Sequence, residues 1–416
     1  MRVKRAVTSV LVAAAPAAML LLAGFVEPAA NLHAQKQSPS TDASLNKHDG
    51  QSIFRFDTFG DEQLWTDVLH MPDALANVSP ATALAVGLKV DVDALPASVI
   101  DAIRTGGVKL DDPAVTATLL KLDAVVGVKG TFAQTGELTR VGVTCALCHS
   151  TVDDSLTAGI GHRLDGWANR DLDVGTIVAL SPVLDDDTRA VFTSWGPGRY
   201  DPRHHIFDGT NIEPLPPSVP VLIPSIFGLK GVGFETYTAD GPISYWNSYV
   251  GVTQMGGRGS FSDPRIGVSV AQEPDLVTPK LPALLEYQLS LRTPKPPKGS
   301  FDHAAADRGA ALFEGQARCS TCHARPNFTD VLSGPTRDVP FLHDAVEVGA
   351  DPTYAERSAT GKYRTEPLRA LWWHSAYFHD GSFKDLPAVV DHYDGLFSLG
   401  LTDSQKADLV EFLKSL

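Results

Sequence analysis

All four cysteines of this chain fall in two copies of one pentapeptide, Cys145-Ala-Leu-Cys148-His149 and Cys319-Ser-Thr-Cys322-His323. Two thiols separated by two residues can add across the vinyl groups of a porphyrin, and the histidine that follows can then swing under the ring as the proximal iron ligand. Other chemistries suit the pattern less well. A disulfide between Cys145 and Cys148 would close a tiny loop and constrain little. Two cysteines and an adjoining histidine form a cramped ligand set for one tetrahedral zinc. A thioredoxin-like redox site needs a neighbouring βαβ pattern, which is not evident. The expectation is two covalently bound haem c groups, with Cys145, Cys148, Cys319 and Cys322 as attachment points and His149 and His323 as proximal ligands.

The ends and the charge fit a protein loaded with haem after export. Met1-Arg2-Val3-Lys4-Arg5 is a basic start, Ala6 to Val26 is an apolar run containing Pro16, and Ala29, Ala30 and Ala34 are small residues suited to cleavage. Residues 1–34 therefore read as a secretory signal directing the chain to the periplasm. The apolar run is also long enough for an uncleaved anchor, so both outcomes stay open. No other stretch could span a membrane. Without residues 1–34 the chain keeps 32 basic and 48 acidic residues, a formal charge of −16. That balance disfavours nucleic acid, suits a soluble protein and could steer basic partners.

The elements that must position the two motifs can be outlined. Residues 35–49 are polar and read as a tether. Helical stretches are expected over Asp61–His70, around Ala97–Ile103 and around Pro113–Leu122, with a short hairpin between Leu120 and Val143. Residues 145–290 are rich in Gly and Pro, and Glu213–Pro224 should be irregular. His204-His205 reads as a polar loop pair. A short helix over Leu281–Leu291 precedes the stiff linker 293–300. Beyond it a helix over Phe301–Glu314, with Asp302 as N-cap, leads to the second motif. A closing helix opens with a capping box of Thr402 and Gln405. The expected fold is mainly α, with two cytochrome c-like haem domains (145–292 and 301–416), long irregular loops and an added N-terminal segment over 35–144.

Further residues carry a resemblance. Tyr363-Arg-Thr-Glu-Pro-Leu-Arg-Ala-Leu371, Ala376-Tyr-Phe-His-Asp-Gly-Ser-Phe383 and Leu386–Tyr393 resemble segments of the bacterial di-haem cytochrome c peroxidase and MauG superfamily. The resemblance is strong over about residues 300–416, looser over 140–290 and absent over 50–140. The two motifs lie 174 residues apart, room for a complete first haem domain. The resemblance implies an N-terminal haem that does the chemistry and a six-coordinate C-terminal haem that handles electrons.

Its site residues carry over one at a time. The distal ligand of the C-terminal haem falls on Tyr393, with His392 as the rival; no methionine follows Met255. An inter-haem tryptophan is matched by Trp195 in Ser194-Trp-Gly-Pro-Gly-Arg199. The catalytic acid of the family is replaced by Gln254, which can hydrogen-bond but cannot titrate. The acid–base role would then pass to another residue such as His162, Glu213 or Glu273. Met255 reads as packing rather than ligation. His162 reads either as a distal histidine of the first haem, which the resemblance implies, or as a surface residue, and the sequence leaves both open. A calcium ion between the domains would be held by Asn169 and the carbonyls of His374 and Ala376.

The implied activity is reduction of hydrogen peroxide, or its use to oxidise a partner, with electrons from a small periplasmic cytochrome or cupredoxin. Two alternatives remain: a dioxygen-dependent oxygenase similar to the di-haem rubber oxygenases, and a pure electron-transfer cytochrome. Assembly as a homodimer is left open.

Overall fold

Short helices joined by long irregular loops dominate the computed structural model, which describes residues 43–208, 212–214, 217–331 and 341–416, with side chains from residue 49 on except over 212–214. The expected signal over 1–34 lies outside these residues, as does most of the tether, and so does the side chain of Glu213. The described residues belong to one compact unit, Ser40–Leu416. Helix predominates over strand, and every described sheet is a two-stranded ladder. None of the described helices is long and apolar enough to cross a membrane.

Several elements form where their local chemistry directs. Asp302 accepts from the Ala305 N–H at 2.8 Å, and the helix His303–Glu314 begins beside it. Thr402 and Gln405 satisfy each other's backbone in a capping box that opens the helix Asp403–Lys414. Such a cap contributes about 1 kcal/mol to helix stability. These two helices cross closely. A Cβ on Gly309 would lie 2.1 Å from the Asp408 carbonyl oxygen, so only glycine permits the approach. Arg308 then grips Asp408 through two parallel hydrogen bonds of 2.8 and 2.6 Å. Phe313, Phe328, Phe412 and Leu413 close a core beside the second motif.

The larger core runs without a break from Phe54 to Tyr287. It joins the added N-terminal segment to the chain around the first motif, so residue 144 is not a break in packing. The helices Ala97–Arg104 and Pro113–Lys121 lie in the expected places. The strands Val128–Phe132 and Leu138–Val143 form the expected hairpin. The stretch Asp61–His70 is wound more widely, with a π-helical turn over Gln63–Val68. The helix Ala43–Phe56 packs along Leu281–Ser290, and Arg55 and Tyr287 both hold Asp165 at 2.5 Å. Gly127, at φ +78°, lets the hairpin press on the first motif. A Cβ there would lie 2.2 Å from the Leu147 backbone.

Candidate haem centres

The two motifs are built differently but orient their histidines in the same way. Cys145 precedes a single helical turn, Ala146–His149. Cys319 opens a 3-10 turn, Cys319–Thr321. In the first, His149 Nδ1 lies 3.0 Å from the Pro224 carbonyl oxygen. In the second, His323 Nδ1 lies 3.0 Å from the Phe328 carbonyl oxygen. A carbonyl can only accept, so Nδ1 carries the proton in each ring and Nε2 keeps the lone pair that a metal would need. Burial pushes His149 down to about 4 and lowers His323 as well, which keeps both imidazoles neutral near pH 7.

The second motif opens on a cavity of about 460 Å3 whose walls include Cys319, Cys322, His323 and Tyr393. Tyr393 projects from the helix Leu386–Phe397, its ring stacked on Phe397. Burial raises its phenol to about 12. The rival His392 is engaged elsewhere, with Nε2 2.9 Å from the Val348 carbonyl oxygen. Arg170 reaches the same cavity from the N-terminal half. Its Nε and Nη1 are buried and find no hydrogen-bond partner among the described residues. The guanidinium lies over the Trp373 ring, and its two unpartnered buried nitrogens could be met by an anion such as a haem propionate. His374 also lines the cavity, with a buried Nε2 lacking a described partner. This donor set fits a covalently attached haem.

Around the first motif lies a tight polar cluster. Tyr200 donates to Gln254 Oε1 at 2.8 Å and lies 3.4 Å from His205 Nε2. Gln254 Nε2 reaches the His205 carbonyl at 3.1 Å and Thr253 Oγ1 at 3.0 Å. The Gln254 amide is thus occupied at both ends. Tyr200 is close enough to Cys148 for that thiol's charge to raise its pKa, although burial is the larger cause. The tautomer held at His149, with Nε2 left free, is the feature of the first motif that fits a haem iron.

The structure corrects the reading of His204-His205 as a polar loop pair. Both are buried, and each has an Nδ1 without a described partner. Burial pushes His205 down to about 3, so it stays neutral. Trp195 belongs to the same cluster, stacked on His205 with centroids 6.3 Å apart. Its indole donates to Ser218 at 2.8 Å. Ser218 in turn donates to Asp201, which Arg357 of the C-terminal half also holds at 3.0 Å.

His162 is not brought to this cluster. It is solvent-exposed and faces Asp93, with Nδ1 2.9 Å from the carboxylate. Glu273 is exposed as well. Met255 is buried in the core, and its carbonyl accepts from Trp65 at 3.0 Å. Asn169 donates to the Gly87 carbonyl at 2.9 Å and leaves a buried Oδ1 with no described partner.

One group escaped the sequence reading. Trp167 lies at the first motif, since the Gly166 and Asn169 N–H groups bond the His149 and Cys148 carbonyls at 2.8 Å each. Its ring stands 4.9 Å from Trp373 and 6.1 Å from Trp372. Both flanking residues of that pair, Leu371 and His374, line the second cavity. The adjacent aromatics Trp372-Trp373 were the only local signal of this bridge. The seam is further tied by polar contacts. The His379 and Asp380 carbonyls accept from the Leu222 N–H at 2.7 Å and from Arg199 at 3.2 Å. Arg364 and Arg369 converge on the buried Glu235 at 3.0 and 3.4 Å.

Comparison with known proteins agrees with these features. No family model matches the chain. A cytochrome-c peroxidase, IdrP2, of Pseudomonas sp. strain SCT is 31% identical over 32% of this chain and 47% of the relative. The methylamine utilization protein MauG of Methylorubrum extorquens is 34% identical over 27% of this chain and 35% of the relative. The match thus spans less than half the length of either. Among solved structures, a MauG-like protein associated with microbial copper homeostasis aligns with 52% of this chain and 86% of that one, at a TM-score of 0.36 and 20% identity.

Proposed function

From the premise that this chain is a relative of the di-haem cytochrome c peroxidases and MauG, we propose that it is a periplasmic di-haem c-type oxidoreductase that reduces hydrogen peroxide or uses it to oxidise a partner. The observation that carries this reading is the pair of motif histidines, each tied through Nδ1 to a carbonyl at 3.0 Å. Two such sites lie on either side of a shared indole cluster. Bound haem supplies redox chemistry and an iron with an exchangeable position.

The side chains divide the remaining work. His149 and His323 present Nε2 to iron, and Tyr393 offers the distal ligand from the wall of the second cavity. A tyrosine ligand stabilises the oxidised metal and suits a centre that stores oxidising power. At the first centre Gln254 cannot shuttle a proton, and its neighbours can. With the Tyr200 hydroxyl proton given to Gln254 Oε1, the neutral His205 ring carries its proton at Nε2, 3.4 Å away, and its unpartnered Nδ1 is the atom free to accept one. Trp167 and Trp373 would carry electrons between the two haems, with Trp195 as a second path. Arg170 would pair with a propionate of the second haem. The buried Asn169 Oδ1 would offer one oxygen to a calcium ion, with the carbonyls of His374 and Ala376 as the other ligands that the family resemblance implies. A small cytochrome or cupredoxin is the donor.

The hydrogen-bonded Gln254 amide favours one second reading, an oxygenase that binds dioxygen at the first haem and needs no acid. Carbon monoxide added to the reduced protein tests both. A spectral shift at one haem is expected, and no shift at either would reduce the protein to an electron carrier. Peroxide added to the diferric form then separates the enzymes: rapid bleaching and shift of the haem bands supports the peroxidase, whereas inertness with a stable dioxygen adduct supports the oxygenase.

A further inference from the structure

We infer that the added N-terminal segment is a binding site for an uncharged, largely hydrocarbon molecule carrying one hydroxyl or carbonyl group. A cavity of about 530 Å3 lies within this segment, separate from the second haem cavity. An apolar cavity of about 150 Å3 already takes up benzene, so this one accommodates a hydrocarbon roughly three times larger. Its volume is typical of a small-molecule site. Apart from Lys109 and Asp112 near the exposed 107–110 rim, no charged side chain lines it. An ionic ligand would therefore be poorly solvated inside.

Two observations point to an occupant. The helix Ala97–Arg104 turns Val99 and Ile103 to the cavity, yet no residue of that helix is buried. An amphipathic helix whose apolar side faces a void is missing the surface it would cover. Thr116 also lines the cavity, is 94% buried by its 6% exposure, and its hydroxyl finds no hydrogen-bond partner among the described residues. A buried hydroxyl without a partner is costly, and a ligand hydroxyl or carbonyl would satisfy it. The position matters to the rest of the molecule. Leu147, between the two cysteines of the first motif, forms part of the wall, and so does Trp65, whose indole bonds the Met255 carbonyl next to Gln254.

Equilibrium dialysis of the intact di-haem protein with radiolabelled 1-octanol and n-octane tests this site. Saturable uptake of both is expected, with the alcohol preferred about fivefold, the worth of one hydrogen bond. Thr116→Val should abolish or invert that preference, because the alcohol hydroxyl would then be buried without a partner, while leaving octane uptake unchanged. Ala83→Phe, which fills the cavity, should weaken uptake of both at least tenfold with haem spectra unchanged. Val99→Trp, on the half-exposed helix, serves the same end if Ala83→Phe does not fold. A diazirine-bearing octanol should label residues 65–120 in the unmodified protein. Lack of saturable uptake, undiminished uptake in a folded filled variant, or labelling confined to other regions would overturn the site. An unchanged alcohol preference in Thr116→Val would remove the polar group from the ligand.

Discussion

The two Cys-X-X-Cys-His turns share a tautomer and differ in nearly everything around it. At the second, the chain leaves an open cavity lined by Tyr393, by the motif histidine His323 and by Arg170, two of whose buried nitrogens have no described partner. At the first, Tyr200, Gln254 and His205 are locked together by hydrogen bonds. The contrast teaches that one motif can serve two ends. A site with an available oxygen ligand and a cation is arranged to hold a metal in a fixed state. Under the proposed function, a site ringed by neutral, hydrogen-bonded groups would manage protons near an iron that accepts a ligand.

The largest test of this contrast removes one centre at a time. Cys319→Ala with Cys322→Ala should lower covalent haem from two to one per chain by the pyridine haemochrome assay and abolish reaction between the remaining centre and its donor. Equal loss of both haems would show that the sites do not assemble independently. Gln254→Glu should come next, restoring a titratable group and raising the peroxide reaction rate about a hundredfold. A rate unchanged in stopped flow would mean that His205 and Tyr200 already do this work.

Tyr393→Phe sharpens the other side. The spectrum of only one haem should change, with its potential rising, and an identical spectrum would remove Tyr393 from the iron. A smaller effect is expected at the bridge, where Trp167→Phe should slow electron transfer between the centres about tenfold and Trp195→Phe less. The reverse order in flash photolysis would return the main path to Trp195.

The smallest effect concerns the support behind the first motif. Burial holds the Asp61 carboxyl well above its usual pKa, although both its oxygens accept from the Val143 N–H at 3.2 and 3.1 Å. The stability of the protonated native state is therefore fully present below the unfolded carboxylate pKa and is lost as pH rises through the folded value. Asp61→Asn cannot titrate, so its melting temperature should gain on the parent by a few degrees from pH 4 to pH 8. A constant difference across that range would dispose of the idea.

Much of the C-terminal half could be read directly from local signals. Asp302, the Thr402–Gln405 box and the apolar stripe ending at Leu416 act within a few residues, so their outcome does not wait on the rest of the fold. The same holds for the hairpin before Val143. The first centre was less legible. His205 looked like a polar loop residue because its enclosure by Trp195, Phe192 and Gln254 is made by tertiary packing that its own neighbours in the sequence do not reveal. His162 lay an attractive short loop past the motif, yet its partner is Asp93, from the segment with no counterpart in the family pattern.

By itself, the sequence determined the donor set of each motif, because two thiols and an imidazole at fixed spacing stay together wherever they are placed. It also determined the capped helices around the second motif, whose hydrogen bonds are local. Only the tertiary structure decided which carbonyl orients each histidine, that Tyr393 rather than His392 meets the second cavity, and that Trp167 meets Trp373. Those outcomes depend on the packing of residues up to two hundred positions apart, and local spacing holds no record of such contacts.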